Sequence, residues 1–118
     1  MELTSKQIAE AFSSHKFELT YPYWSDHIRR NNVGGQQFDG RDNVIQSCEK
    51  SATHLATVKT KFSKFRTILS ENCVVIDSLA EYGSTGNELS TVASCDIYHF
   101  AKGKVPEITS INIELNQS

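Results

Sequence analysis

The chain has 118 residues, and its twelve basic and fourteen acidic side chains leave a formal net charge of −2. That length suits one domain spanning 1–118, able to bury about two-thirds of its unfolded surface without disulfide or metal staples. The charge balance excludes a chain built to neutralise many phosphates, and the longest aliphatic run, Val74-Val75-Ile76, falls far short of the roughly 20 residues that cross a bilayer.

Neither a nucleic-acid nor a membrane partner is expected, and with no basic-then-apolar leader at its start the chain is expected in the cytoplasm. Cys48, Cys73 and Cys95 are odd in number and widely spaced, which reads as reduced thiols rather than a disulfide framework. His15, His27, His54 and His99 lack the i, i+4 spacing of a helical zinc site, so no metal and no cofactor is expected.

In chain order, Leu3-Thr4-Ser5-Lys6-Gln7-Ile8 holds a capping Thr, a Gln three residues later and apolar residues on either side, a capping box with a hydrophobic staple. Ile8, Ala11 and Phe12 share a face, which predicts an amphipathic helix over roughly 5–14. A second short helix over 16–21 stops at Pro22, because a proline pushes the preceding residue out of the helical region. The stretch 24–33 lacks a helical period and runs into Gly34-Gly35, which predicts a strand closed by a glycine turn.

In Phe38-Asp39-Gly40-Arg41-Asp42 one acid is placed to cap a helix and the second falls in its first turn. Val44, Ile45, Cys48, Ala52 and Leu55 follow, predicting a long helix over about 40–56. From 59 onward β-branched and aromatic residues dominate: Phe62, Phe65, Ile68 and Leu69, then 74–82, 91–100 and 105–115, with hairpin loops at 70–72, 83–87 and 101–104. Helices followed by an antiparallel meander make an α+β order. The efficient burial is a curved antiparallel sheet wrapped around the long helix, its concave side forming a cone.

The residues Tyr21, Tyr23-Trp24-Ser25-Asp26-His27-Ile28, Val33-Gly34-Gly35 and Phe38, Gly40-Arg41-Asp42, Val44 resemble the first strand and following helix of the nuclear transport factor 2-like superfamily. Ser94-Cys95-Asp96-Ile97-Tyr98-His99-Phe100 with Gly103-Lys104-Val105 is similar to that family's closing strands. The resemblance spans nearly the whole chain and is nearest the SnoaL-like and ketosteroid-isomerase-like branches. It implies a cone open at its wide end to a small-molecule pocket, in a family whose one fold hosts isomerases, cyclases, hydrolases, dehydratases and non-catalytic binders.

Within that resemblance, Asn32 falls where ketosteroid isomerase carries its general-base aspartate. An amide does not abstract a proton at neutral pH, so ketosteroid isomerisation itself is not expected. Asp96 falls on the same enzyme's oxyanion-hole aspartate, on a strand face shared with Ser94 and Tyr98. It is the candidate catalytic acid or base; the alternative is an ionised strut held by a neighbour. The enzyme's helix-one tyrosine has no counterpart among Ile8, Ala11 and Phe12.

With Asn32 inward, alternation turns Ile28 and Arg30 inward too, and Arg30 then calls for Asp96 or an anionic ligand group as partner. A register shifted by one would instead place Arg29 and His27 inside. Tyr21 and Trp24 belong either to the pocket wall or to the packing beneath it. On the last strand Ile108, Ser110, Asn112 and Glu114 alternate with Thr109, Ile111, Ile113 and Leu115. The match places Asn112 in the pocket and Ser110 with it, leaving Ile111, Ile113 and Leu115 on the convex face, through which this family commonly forms homodimers. The alternative register packs the isoleucines on the long helix.

The expected function is a small-molecule-binding SnoaL-like domain with acid–base chemistry of the isomerase, cyclase, dehydratase or hydrolase type. Asp96 is its catalytic group, and Tyr21, Trp24, Ile28, Arg30, Asn32, Ser94, Tyr98, Ser110 and Asn112 surround the ligand. A non-catalytic ligand-binding or protein-interaction domain of the same fold is the alternative. A second titratable group facing Asp96 would separate the two.

Overall fold

A computed structural model describes residues 2–83 and 90–115. The capping box forms: Thr4 Oγ1 accepts from the Gln7 amide at 3.1 Å, Gln7 Oε1 accepts from the Thr4 amide at 2.9 Å, and helix α1 (Ser5–Ser13) begins there. Its buried stripe is Ile8, Ala9, Phe12 and Ser13, whereas Ala11, expected inside, is half-buried. The stripe is rotated so that Ser13 reaches polar partners on the sheet.

The expected stop at Pro22 is not observed. A 3-10 helix (Phe17–Tyr23) runs through it and is closed by the Trp24 amide on the Tyr21 carbonyl. The ring-fixed φ of proline lies within the 3-10 range, so the tighter helix tolerates it.

Strand β1 (Trp24–Asn32) turns at Gly34-Gly35 into a short strand, β2 (Gln37–Asp39), which the sequence reading missed. Asp39 is therefore not a helix cap. Its carboxylate takes a 2.9 Å hydrogen bond from Arg29 Nε across the β1–β2 ladder, and Gly40, at φ 90°, is the N-cap of helix α2 (Arg41–Leu55). Asp42 does fall in the first turn.

Strands β3 (Lys59–Ser70), β4 (Cys73–Gly83), β5 (Ser90–Ala101) and β6 (Lys104–Glu114) form the expected antiparallel meander. Two of its loops are tight turns in which Asn72, Lys102 and Gly103 take positive φ. The third, expected at 83–87, lies almost wholly outside the described residues. The sheet order is β2-β1-β6-β5-β4-β3, and β1 runs parallel to β6, so the sheet is mixed rather than wholly antiparallel. α2 supplies part of the crossover that a parallel pair needs.

Phe62 and Phe65 are three residues apart, a spacing that would send strand neighbours to opposite faces. A bulge between Phe62 and Lys64 restores the phase: Phe62 opposes Ala80, Phe65 opposes Ser78, and both rings meet edge-on at 5.2 Å. The concave face carries the core. Ile8, Phe12, Trp24, Ile28, Val44, Cys48, Val74, Ile76, Tyr98, Val105 and Ile108 close over one another between the sheet and the helices.

The other face of β6 holds Ile111, half-buried, and Ile113, 57% exposed, opposite Cys95 and Ala93 on β5. The isoleucines are thus convex and do not pack on α2. Leu115, just past the strand, is 42% exposed. No helix among the described residues is long and apolar enough to cross a membrane.

Candidate active site

A cavity of about 370 Å³ opens between the concave face, the end of α1 and the outer turns of α2, within the range of small-molecule sites. Strand register sets polar rows at, beneath and beside its floor. Asp96 on β5 is flanked by Ser110 on β6, which is flanked in turn by Asn32 on β1. In the next row Ser94 lies between Asn112 and Ser78, and its hydroxyl donates to Asn112 Oδ1 at 2.7 Å. Phe12, Phe17, Leu55 and Phe62 make the apolar walls.

Asp96 is buried, at 9% exposure, and Ser13 Oγ donates to its Oδ2 at 2.7 Å. The Ser13 oxygen also lies 2.5 Å from the Tyr98 hydroxyl. Ser13 has one hydrogen to give and spends it on Asp96, so Tyr98 donates to Ser13. Burial, and then the nearby Asp96, push the Tyr98 phenol well above its ordinary value and keep the proton on it. Helix one therefore offers Asp96 a hydroxyl after all, from Ser13, a position the comparison with the isomerase tyrosine passed over.

His15 faces the same cavity from the link between α1 and the 3-10 helix, at φ 74°. Its ring packs among Phe17, Phe62 and Tyr82, with the Tyr82 hydroxyl 3.5 Å from Nε2. Burial lowers the His15 pKa below 6.5, Asp96 pulls it back up, and Arg30 adds a smaller downward push. At neutral pH the imidazole is uncharged, with one nitrogen able to accept a proton. Burial and the Asp96 charge together raise Tyr82.

Arg30 projects inward from β1, as the alternation from Asn32 requires, with Phe12 beneath it at 5.0 Å from guanidinium to ring centre. It does not ion-pair with Asp96: the ion pairs within 4.0 Å among the described residues are Lys6–Glu10, Arg29–Asp39, Lys64–Asp77 and Arg66–Asp77. Burial pushes the neighbouring Cys48 thiol up to about 11, against the pull of Arg30.

Of the residues singled out by sequence, Arg30, Ser94, Asp96 and Asn112 line the cavity together. Asn32 lines an adjoining hollow of about 490 Å³ that shares Arg30, Lys50, Ser51 and Asn112 with it. Tyr98 and Ser110 are fully buried below the floor. Ile28 and Trp24 sit in the core rather than at the wall, the indole donating to Thr20 Oγ1 at 3.1 Å. Tyr21 packs on Trp24 at 4.8 Å between ring centres and borders a separate outer groove with His15 and Leu19.

The sequence reading missed Ser13, His15, Lys50, His54, Phe62 and Tyr82, all on this cavity. The available signal was the Phe12-Ser13-Ser14-His15 run at the end of an amphipathic helix, since histidine tolerates the left-handed backbone that ends such a helix.

A curved mixed sheet over two helices, with a cavity on its concave side, defines an α+β fold. Comparison with solved structures agrees. An NTF2-like protein of unknown function from Cytophaga hutchinsonii is 31% identical, with a TM-score of 0.80 over 90% of this chain and 93% of that one. A putative SnoaL-like polyketide cyclase from a Jannaschia species shares the fold at 9% identity, with a TM-score of 0.72 over 95% and 90% of the two chains. An epoxide hydrolase from M. tuberculosis, described as LEH-like, does so at 14% identity, with a TM-score of 0.66 over 92% and 81%. No family model and no curated protein matches the chain. The chain belongs to the nuclear transport factor 2-like (NTF2-like) family.

Proposed function

We propose that this chain is a small-molecule-binding domain whose cone carries acid–base chemistry of the isomerase, cyclase, dehydratase or hydrolase type. The carrying observation is that Asp96 does not face the cavity alone: His15, held neutral by burial, faces it too. Two ionisable side chains on different walls of one cavity meet the geometric requirement for moving a proton on and off a bound substrate. Ser13 and Tyr98 orient the carboxylate, and Tyr82 borders the imidazole. The two relatives named as cyclase and epoxide hydrolase are consistent with such chemistry, though they share only the fold.

The test is a panel of cyclic ketones and epoxides incubated with the protein in D2O and followed by NMR for carbon-bound deuterium or ring opening. Turnover is expected in the wild type and falls by about a hundredfold or more in Asp96→Asn and in His15→Asn. Turnover unchanged in both variants overturns the assignment. Tight binding with no turnover in any protein favours the non-catalytic ligand-binding reading.

A further inference from the structure

We infer that the ligand is a small organic anion, and that Arg30 with Lys50 receives its carboxylate at the junction of the two hollows. This rests on the small-molecule reading of the cone, and it concerns binding rather than chemistry. Arg30 extends from near the end of β1, and its Nε is buried with no hydrogen-bond partner. The buried side-chain polar atoms left unpaired among the described residues are this nitrogen and Ser110 Oγ, both on inward-facing positions of the adjacent strands β1 and β6.

The guanidinium as a whole is half-buried on the cavity wall, and a cation placed there with no acid beside it suits an anionic ligand. Asp96 accepts from Ser13 through Oδ2, and neither it nor any other carboxylate among the described residues comes within ion-pair distance of Arg30. The planar guanidinium fork, steadied on the Phe12 ring, suits a carboxylate, whose two oxygens accept parallel hydrogen bonds.

The second hollow has the same sense. Arg30 and Lys50 are its charged residues, and Asn32, Gln36, Asn43 and Gln46 add amide groups without any acid. Lys50 lines both hollows and forms none of the ion pairs found among the described residues. A ligand seated with its carboxylate at Arg30 projects its remaining carbon skeleton past Phe12 toward Asp96 and His15.

The experiment is calorimetric titration of the full chain with benzoate and cyclohexanecarboxylate, each against its uncharged amide, in wild type, Arg30→Gln, Lys50→Gln and Asp96→Asn. The acids are expected to bind and the amides to bind at least tenfold more weakly. Arg30→Gln should lose about ten- to a hundredfold in acid affinity, Lys50→Gln less, and added salt should weaken the acids alone. Asp96→Asn removes a negative charge from the cavity wall and should bind the acids no more weakly, and acid binding without turnover in the D2O assay leaves this inference standing while the acid–base assignment falls. Amides binding as well as acids, acids binding Arg30→Gln undiminished, or no acid binding at millimolar concentration each overturns it. Circular dichroism and a melting curve for Arg30→Gln exclude unfolding as the cause of any loss.

Discussion

Ser13 Oγ donates to Asp96 Oδ2 at 2.7 Å, tying the last turn of α1 to the middle of β5 across 83 residues of chain. The bond gives the buried carboxylate a partner and leaves Tyr98 to complete the Ser13 oxygen.

Ser13→Ala is expected to destabilise the fold by about 1–3 kcal/mol, because it strands both the Asp96 oxygen and the Tyr98 hydroxyl in the interior. Asp96→Asn keeps an acceptor for Ser13 and should cost less. Urea denaturation of both variants decides the point; if Asp96→Asn is the one that fails to fold, the acid is a strut.

Stability should depend on His15 with a definite sign. Burial holds its folded pKa below the ordinary 6.5, more strongly than Asp96 raises it, and Arg30 assists burial. As pH drops beneath 6.5 the unfolded chain takes up a proton that the folded chain resists, so this contribution is complete above 6.5 and is lost toward the folded value. Asn accepts the left-handed backbone at this position, where φ is 74°, and so serves as the control. The difference in unfolding free energy between wild type and His15→Asn should rise with pH through that window and flatten above it; parallel profiles would refute the burial argument.

Gly40 caps α2 at φ 90° and ψ 150°, and a Cβ built there meets nothing within 4 Å. Space is not the constraint. That backbone region belongs almost solely to glycine, so Gly40→Ala is expected to cost about 1–3 kcal/mol through strain alone. A melting temperature equal to wild type would show that the turn relaxes.

The convex face is expected to be covered by a second copy of the chain. Ile113 is 57% exposed and Ile68 46%, with Ala93, Leu79, Ile97 and Val75 between them on the intervening strands. Sedimentation at micromolar concentration should give a dimer for wild type and a monomer for Ile113→Lys, with the melting curve of the variant confirming that it folds. A monomeric wild type removes the argument.

Short-range codes made much of this architecture legible. The capping box at Thr4 and Gln7, the alternation along β6 and the left-handed residues at the turns each act within a few residues, so the elements they specify are fully encoded locally. The shared face of Ile28, Arg30 and Asn32 follows from the same two-residue period once one of the three is placed inward.

The added strand β2 and the phase-restoring bulge beside Phe62 are set by pairing with the neighbouring strand of a hairpin, and the parallel pairing of β1 with β6 by contacts between distant segments. The same holds for the site. His15 and Asp96 share one cavity only because α1 packs across the sheet, and the hydroxyl that reaches Asp96 comes from Ser13 on that helix. Sequence alone determined the helices and the long strands, β2 excepted, and which residues of an unbulged strand share a face. Tertiary structure decided which faces close on one cavity, because burial and charge pairing there depend on side chains that are neighbours in space and strangers along the chain.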